Sequence, residues 1–569
     1  MRWCYSPVPD HRIEILRNSL SINPIVARIL YRLGFTEASA AHDFLNPKLR
    51  NLRNPFEIRN LDLAVERLQR AMRERESILV FGDYDVDGVT STTLLVSSLR
   101  HLGIFPRYVV PQRLSDGYGL SPSAINRALA QDRPDLLVAV DCGTNSSGDI
   151  AHLRSLGVDV IILDHHSSKD SLPKDCILVN PHVHDSPSAP WRHLSSVGLV
   201  FKLVHGLIKQ LRDVGDEAAH EFELKDHLDL VALGTIADLV PLLGENRILA
   251  SHGLLRLRSA HRPGINALLE VSGKSIGEDI SPFDVSFRLG PRINACGRLA
   301  NALLPINMLL SENWTECSKA ARKVDSFNRK RQEIEKAVFL QAEEQVNTEL
   351  AGSSGLVLHN SSWHPGVVGI VASRLAQLFN RPSIVLGEEG GFAKGSGRSI
   401  SGVNLVDLLR SCHHLLDSWG GHPMATGVSL KAENVEKFRT AFNQVATHEL
   451  GGSIPEKELE LTQWIQLEDI DERLLDDLEC LHPYGQNNPE PIFGLKRVSL
   501  NRTPSEFGNG HLRFQLNDSS RRPLAGVAWK MSQRRPPVGD SLDLAVRANW
   551  NTWNGRRNPQ VELVDWRIS

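Results

Sequence analysis

A chain of 569 residues is too long for one hydrophobic core, and about three or four domains are expected from ordinary domain sizes. Its 41% hydrophobic and 23% charged content describes a soluble globular protein, and with no run of about 18 apolar residues and no signal pattern in MRWCYSPVPDHR the expected location is cytoplasmic, without a membrane. Seven scattered cysteines without a CxxC pair argue against a disulfide framework or a zinc site, and a net charge of −3 argues against a uniformly polyanion-binding surface.

Residues 1–50 read as a mixed helical lead-in closed by a turn at Asn54-Pro55. From Ser77 the runs SILVFG, VTSTTLLVSSLRHLG, RYVVP, DLLVAV and VDVIIL alternate strand and helix periods, which predicts βαβ units and a parallel sheet over 51–315. KDHLDLVALGTIADL has helical spacing, and the charged, breaker-poor stretch at 316–350 predicts a linking helix on the order of 45 Å long. SGLVLHN, GVVGIVASRLAQLF and PSIVLG predict a smaller α/β domain over 351–455, in which the glycine-rich KGSGRSISG and WGGHPMATG read as a loop and a turn. HLRFQLND, LAGVAWKM, SLDLAVRANW and PQVELVDWRI then predict a β-barrel over 460–569. The charge concentrates here, with 13 Lys and Arg against six Asp and Glu from Pro491 to Ser569.

The acidic run Asp83, Asp85 and Asp87 in GDYDVDG directly follows the strand ILVF. At period two the three carboxylates share one face of an extended segment, and their repulsion calls for a hard divalent cation. A calcium loop is excluded by the preceding strand and by Leu94 where the twelfth-position Glu should stand. LLVAV runs into Asp141 and VDVIIL into Asp164, His165 and His166, and ligands of an open parallel sheet collect beyond the carboxyl ends of its strands. Asp238 closes the GTIAD helix. Mixed oxygen and imidazole donors suit Mn²⁺ or Mg²⁺. Two such ions about 3.5–4 Å apart would activate a water and stabilise the entering and leaving oxygens at phosphorus.

DYDVDG, VDCG, DHH and GTIADLVPL, in that order, resemble the four motifs of the DHH phosphoesterase superfamily. GPRINACGRL, WHPGVVGIVASRL, KGSGRSISGVNL, GGHPMATG and HPYGQNNPEP narrow the resemblance to the bacterial single-strand-specific RecJ exonucleases, from about Leu79 onward. That resemblance implies an α/β fold: a parallel-sheet DHH domain, a smaller α/β DHHA1 domain joined to it by the long helix, and a C-terminal β-barrel of OB-fold type. It also implies degradation of single-stranded DNA from the 5′ end to mononucleotides with two ions, Mn²⁺ or Mg²⁺, in repair and recombination. Asp85, Asp87, Asp141, His165 and Asp238 match metal-ligand positions, with Asp83 and His166 close to the same catalytic centre. Ser396, Arg398, Gly420, Gly421 and His422 match phosphate contacts at the 5′ end, and Arg113, Arg292, Asn294 and Arg298 match positions near the strand path. In SSVG, Ser195 and Ser196 stand where many relatives carry a glycine, which bears on local loop geometry alone. A monomer is expected, with single-strand-binding protein and repair helicases as implied partners and no further C-terminal partner-binding domain.

In the C-terminal region Phe493, Phe507, Phe514, Trp529, Trp550, Trp553 and Trp566 interleave with Arg513, Lys530, Arg547, Arg556 and Arg557. Aromatic faces can stack on unpaired bases while basic groups follow the backbone, although about half of such aromatics are expected in the barrel core. A small-substrate phosphoesterase of the same superfamily, acting on an oligonucleotide, cyclic dinucleotide or pyrophosphate, shares the metal motifs but does not require this barrel.

Overall fold

The computed structural model describes residues 1–112, 116–117, 119–168, 171–517, 523–553 and 556–569. Five parallel strands form the first sheet, in the spatial order Arg107–Val109, Ile78–Phe81, Leu136–Val140, Asp159–Leu163, Ile177–Val179. ILVF and LLVAV are buried throughout because helices cover both faces. Alternate residues therefore enter two cores. Val80, Val138 and Leu163 pack into one, and Phe81, Ala139 and Ile162 into the other. The chain steps outward from Ile78–Phe81 to Arg107–Val109 and then returns to the opposite side, so the direction of strand addition reverses between Ile78–Phe81 and Leu136–Val140. At such a reversal the two flanking loops splay apart and leave a crevice.

Helix Trp314–Thr348 runs for 35 residues, and its buried positions include Val324, Asp325, Arg331, Glu335 and Phe339. It packs on helix Gly290–Leu299 and on Pro365–Phe379 beyond it. The second sheet pairs Leu356–His359 parallel to Ser383–Glu389, and then Phe392–Arg398, Ala425–Lys431 and Ser418–His422 follow antiparallel. KGSGR and WGGH are thus strands, correcting the loop and turn readings. Their small residues serve close strand packing, since a Cβ at Gly395 would lie 1.9 Å from Val385 O.

The third sheet has seven strands, ordered Gln463–Ile465, Phe493–Val498, Leu542–Trp553, Arg556–Ile568, Leu524–Ala528, His511–Leu516, Ser505–Phe507. Residues 10–45, which read as a lead-in, share its core: Leu16, Leu30 and Phe44 join Phe493, Leu544 and Val561 in one cluster. Strand Arg2–Cys4 pairs parallel with Glu458–Glu460, and Trp3 Nε1 donates to Asp565 at 2.7 Å. Buried Arg247 joins these parts to the first domain, donating to Phe44 O, Cys480 O, Leu481 O and His482 O at 2.7–3.0 Å. Among the described residues no helix is long and apolar enough to cross a membrane.

Candidate active site

The GDYDVDG segment turns directly into helix Val86–His101. Asp85 is its N-cap, accepting from Gly88 N at 3.1 Å, and Asp87 lies in its first turn. This corrects the extended, period-two arrangement: the chain enters a helix here, which Asp85 caps and whose first turn carries Asp87, so the carboxylates do not line a strand face. Gly88 is demanded by the turn, because a Cβ there would lie 2.5 Å from Asp83 O.

Asp141, after Leu136–Val140, has a φ of +66°, a left-handed conformation that Asp tolerates better than bulkier residues. Beyond Asp159–Leu163, Asp164 accepts from His165 N, His166 N and His166 Nδ1 through Oδ1 and from Thr144 N through Oδ2, at 2.7–3.2 Å. Asn180 ties the same turn, donating to His166 O and Thr144 Oγ1. Asp164 is therefore a brace that presents the two histidines. His165 Nε2 reaches Asp238 Oδ2 at 3.3 Å, Asp141 Oδ1 at 3.6 Å and Asp87 Oδ2 at 3.9 Å. Three triads each bring ligand atoms within 4.8 Å of one another: Asp87–His165–Asp238, Asp141–His165–His166 and Asp83–Asp85–Asp141.

One element that anchors this centre was not legible as a site feature. Helix Ser196–Asp213 aims its first amides at the crevice, Ser196 N and Val197 N donating to Asp87 at 2.7 and 2.8 Å. Ser196 Oγ also donates to Asp141 Oδ1 at 2.9 Å. A Ser before an apolar helix signals a cap, and Ser195 does cap Gly198 N, but nothing local announces partners roughly 55 to 110 positions away.

The electrostatics call for cations. Burial, and then the charge of Asp238, pushes the Asp87 carboxyl up to about 7. Burial and then Asp85 raise Asp238 to about 8, and Asp141 is driven well above the carboxylate range by burial and by Asp85. Asp238 also sits at the negative end of helix Leu228–Ala237. Asp164 behaves oppositely: burial opposes its ionisation, but His166, His165 and the hydrogen bond from Thr144 together outweigh burial and hold it low. His165 Nε2 is buried with no hydrogen-bond partner among the described residues, while carboxylate oxygens surround it. A hard divalent cation would neutralise these acids and take up that lone pair, so the donor set fits Mn²⁺ or Mg²⁺.

Contacts lead from this crevice to the second domain. Gly297 in helix Gly290–Leu299 packs on Tyr84, a Cβ there lying 2.6 Å from Tyr84 O. The next residue, Arg298, donates to Gly366 O at 2.9 Å, at the start of helix Pro365–Phe379. Gly369 of that helix faces Ser396 Oγ and Arg398 Nη2. Across strand Ala425–Lys431, Ser396 is in register with Gly427 and Gly420, and Arg398 with Ala425 and His422. Ser396, Arg398, Gly420 and His422 therefore share one sheet face, with Gly421 between the last two pointing the other way. Arg292 is placed differently. Its guanidinium donates to Asp325 Oδ1, Arg288 O and Val271 O, bracing the helix against Trp314–Thr348. Asn294 Oδ1 is buried without a hydrogen-bond partner among the described residues, and Arg113 lies outside them.

In the third domain Phe493 and Phe514 are core. Trp529 is 48% exposed and clusters with Phe507 and His511, with Arg513 stacked 4.3 Å over Phe507. Arg557 stacks on Trp550 at 4.4 Å, and Arg547 pairs with Glu490 and Glu562. The side chain of Trp553 lies outside the described ones.

A doubly wound sheet whose reversal point gathers five aspartates and a histidine pair, followed by a second α/β domain, defines a phosphoesterase of the DHH class. Residues 77–235 match the DHH family N-terminal domain, 352–448 the DHHA1 domain and 463–565 the RecJ OB domain. The chain belongs to the RecJ family. It is 35% identical to the single-stranded-DNA-specific exonuclease RecJ of Bacillus subtilis, over 100% of this chain and 71% of that one. It is 37% identical to the single-stranded-DNA-specific exonuclease RecJ of Escherichia coli, over 90% and 91%. The crystal structure of RecJ from Thermus thermophilus in complex with Mn²⁺ superposes with a TM-score of 0.83 at 28% identity, covering 100% of this chain and 80% of that chain. The Mg²⁺ complex of the same protein gives 0.78 at 27% identity, over 100% and 78%.

Proposed function

We propose that this protein is a single-stranded-DNA-specific exonuclease that removes mononucleotides from the 5′ end by metal-dependent phosphodiester hydrolysis, in DNA repair and recombination. The observation that carries the reading is the buried crevice in which His165 Nε2 faces three aspartates without a hydrogen-bond partner, in a chain related to RecJ over its length. Two divalent cations, Mn²⁺ or Mg²⁺, would supply charge neutralisation at phosphorus and activation of the attacking water.

The residues divide the work. Asp87, His165 and Asp238 would hold one ion and Asp83, Asp85 and Asp141 the other, with His166 fixed by Asp164 alongside. Ser196 and Val197 amides keep Asp87 aimed, so little rearrangement is needed when an ion enters. Arg398 and Ser396 anchor the 5′-terminal phosphate, Gly420 and Gly421 let backbone approach it beside His422, and Arg298 lies near the strand path. The cluster of half-buried Phe507 and His511 with exposed Trp529 and Arg513 guides unpaired bases. The units would divide at 51–315, 316–350, 351–455 and 460–569, the chain acting as a cytoplasmic monomer alongside single-strand-binding protein and repair helicases.

The test is digestion of 5′-labelled and 3′-labelled single strands with Mn²⁺ or Mg²⁺, beside a blunt duplex and an Asp141→Ala control. Immediate release of the 5′ label as mononucleotide, with duplex and variant inert, is expected. Intact strands together with hydrolysis of a dinucleotide or pyrophosphate would overturn the exonuclease reading and leave a phosphoesterase.

A further inference from the structure

Phe283 and Phe287 are 61% and 67% exposed, yet their rings lie 4.7 Å apart at an interplanar angle of 30°. Two adjacent phenyl faces left in water are uncommon on a surface unless something covers them. Their backbone is firmly held. Ser281 and Asp284 form a capping box, and Asp284 is paired with Lys274 at 3.2 Å and Arg288 at 3.3 Å. Val285 and Leu289 are fully buried on the opposite side of the turn. Val285–Leu289 is a wide π-type turn, a local departure from α-geometry found frequently at functional sites.

The helix that follows places the pair relative to the crevice. Gly290 faces Val86 and Ala237, and Gly297 faces Tyr84, so one side of Gly290–Leu299 lies on the metal-motif turn and beside the Asp238 helix. Phe287, Pro291, Asn294 and Arg298 follow one another at helical spacing on the neighbouring, partly exposed stripe. At 1.5 Å per residue, Phe287 is about 16 Å from Arg298, which is a few nucleotides of extended strand. One end of this stripe reaches the interdomain contact at Gly366, and the other ends in the phenyl pair.

We propose that Phe283 and Phe287 form a stacking ledge for unpaired bases a few nucleotides downstream of the one being removed. This rests on the single-strand reading above and names a surface that reading does not use. The occupant is a nucleobase because the ledge is continuous with a stripe carrying Asn294 and Arg298, and because every base has a π-face. A ledge of phenyl rings grips any sequence, which suits an enzyme that must step along whatever strand it meets.

The test compares wild type, Phe283→Ala/Phe287→Ala and Phe283→Trp/Phe287→Trp, with melting curves as the fold control. Binding of a 5′-phosphorylated strand of about 20 nucleotides is measured in EDTA, and hydrolysis of that strand and of a dinucleotide is measured in Mn²⁺. The alanine variant is expected to bind the long strand about 5- to 100-fold more weakly and to raise its KM, with kcat on the dinucleotide unchanged; the tryptophan variant retains binding. Abasic sugars at the ledge positions should weaken wild type by the same factor and leave the alanine variant indifferent. Undiminished long-strand binding by the alanine variant would overturn the ledge, whether the patch then proves to take a protein or a second copy of the chain. Failure of wild type to cleave any strand would instead sink the exonuclease reading, and the EDTA binding comparison would still decide the ledge.

Discussion

Gly234→Ala is the smallest change expected to disable the metal centre without touching a ligand. Gly234 lies in helix Leu228–Ala237, and a Cβ there would stand 2.4 Å from Thr90 Oγ1, 2.7 Å from Val197 Cγ1 and 3.0 Å from Asp87 Oδ1. None of the three can yield cheaply. Thr90 is fully buried and its hydroxyl is bonded to Val86 O at 2.8 Å, while Asp87 is held by two helix amides. Overpacking of one methyl costs about 1–3 kcal/mol, and loosening one charged hydrogen bond adds about 1.5–3 kcal/mol. Relief by displacing Asp87 would move a carboxylate away from His165, with an expected loss of about 10- to 100-fold in Mn²⁺ affinity. Calorimetric Mn²⁺ titration, beside kcat/KM on a single strand, reads this directly. Thr90→Ala removes the nearest obstruction, so Gly234→Ala/Thr90→Ala should recover part of the loss. Wild-type Mn²⁺ affinity in Gly234→Ala, or a double variant no better than the single, would refute the argument.

Three further outcomes follow from the same geometry. Ser196→Pro keeps a residue suited to the first position of a helix but removes the amide that serves Asp87, so it should weaken Mn²⁺ binding at least about tenfold more than Ser196→Ala, which loses one hydroxyl contact worth about 1 kcal/mol; equal effects in the titration would show that the amide is idle. Asp141→Asn removes a charge that burial and neighbouring acids oppose, at a left-handed position Asn accepts, so its melting temperature in EDTA should exceed that of wild type while stabilisation by saturating Mn²⁺, about 2.7 kcal/mol at a hundredfold excess over Kd, disappears; a lower metal-free melting temperature would contradict the repulsion argument. Arg292→Ala should lower thermal stability but leave discrimination between 5′-phosphorylated and 5′-hydroxyl strands intact, whereas Arg398→Ala should erase that discrimination; the reverse pattern in strand-binding assays would exchange the two roles.

The parallel sheet was legible because a strand buried on both faces is an unbroken apolar run, and ILVF, LLVAV and VIIL could be nothing else between helical periods. The acids at their ends were legible for the same reason: strand ends are marked by the letters that interrupt such runs. What resisted reading was every feature set by contacts across long separations. Period two in DYDVD fits a strand face and a helix entry equally well, and only the packing of Gly88 on Asp83 selects the second. KGSGR and WGGH look like loops because glycine is poor strand material alone, and they become strands only when Val385 and Thr426 backbones close on them. Arg292 and Arg298 sit six residues apart with similar letters around them, yet one faces Asp325 on the long helix and the other faces Gly366 in the next domain. A spacing of six places two side chains on different sides of a helix, so which guanidinium reaches toward a strand depends on what lies on each side. The same dependence explains why Asp87 could be chosen from its motif while Ser196, about 110 positions on and bonded directly to it, could not.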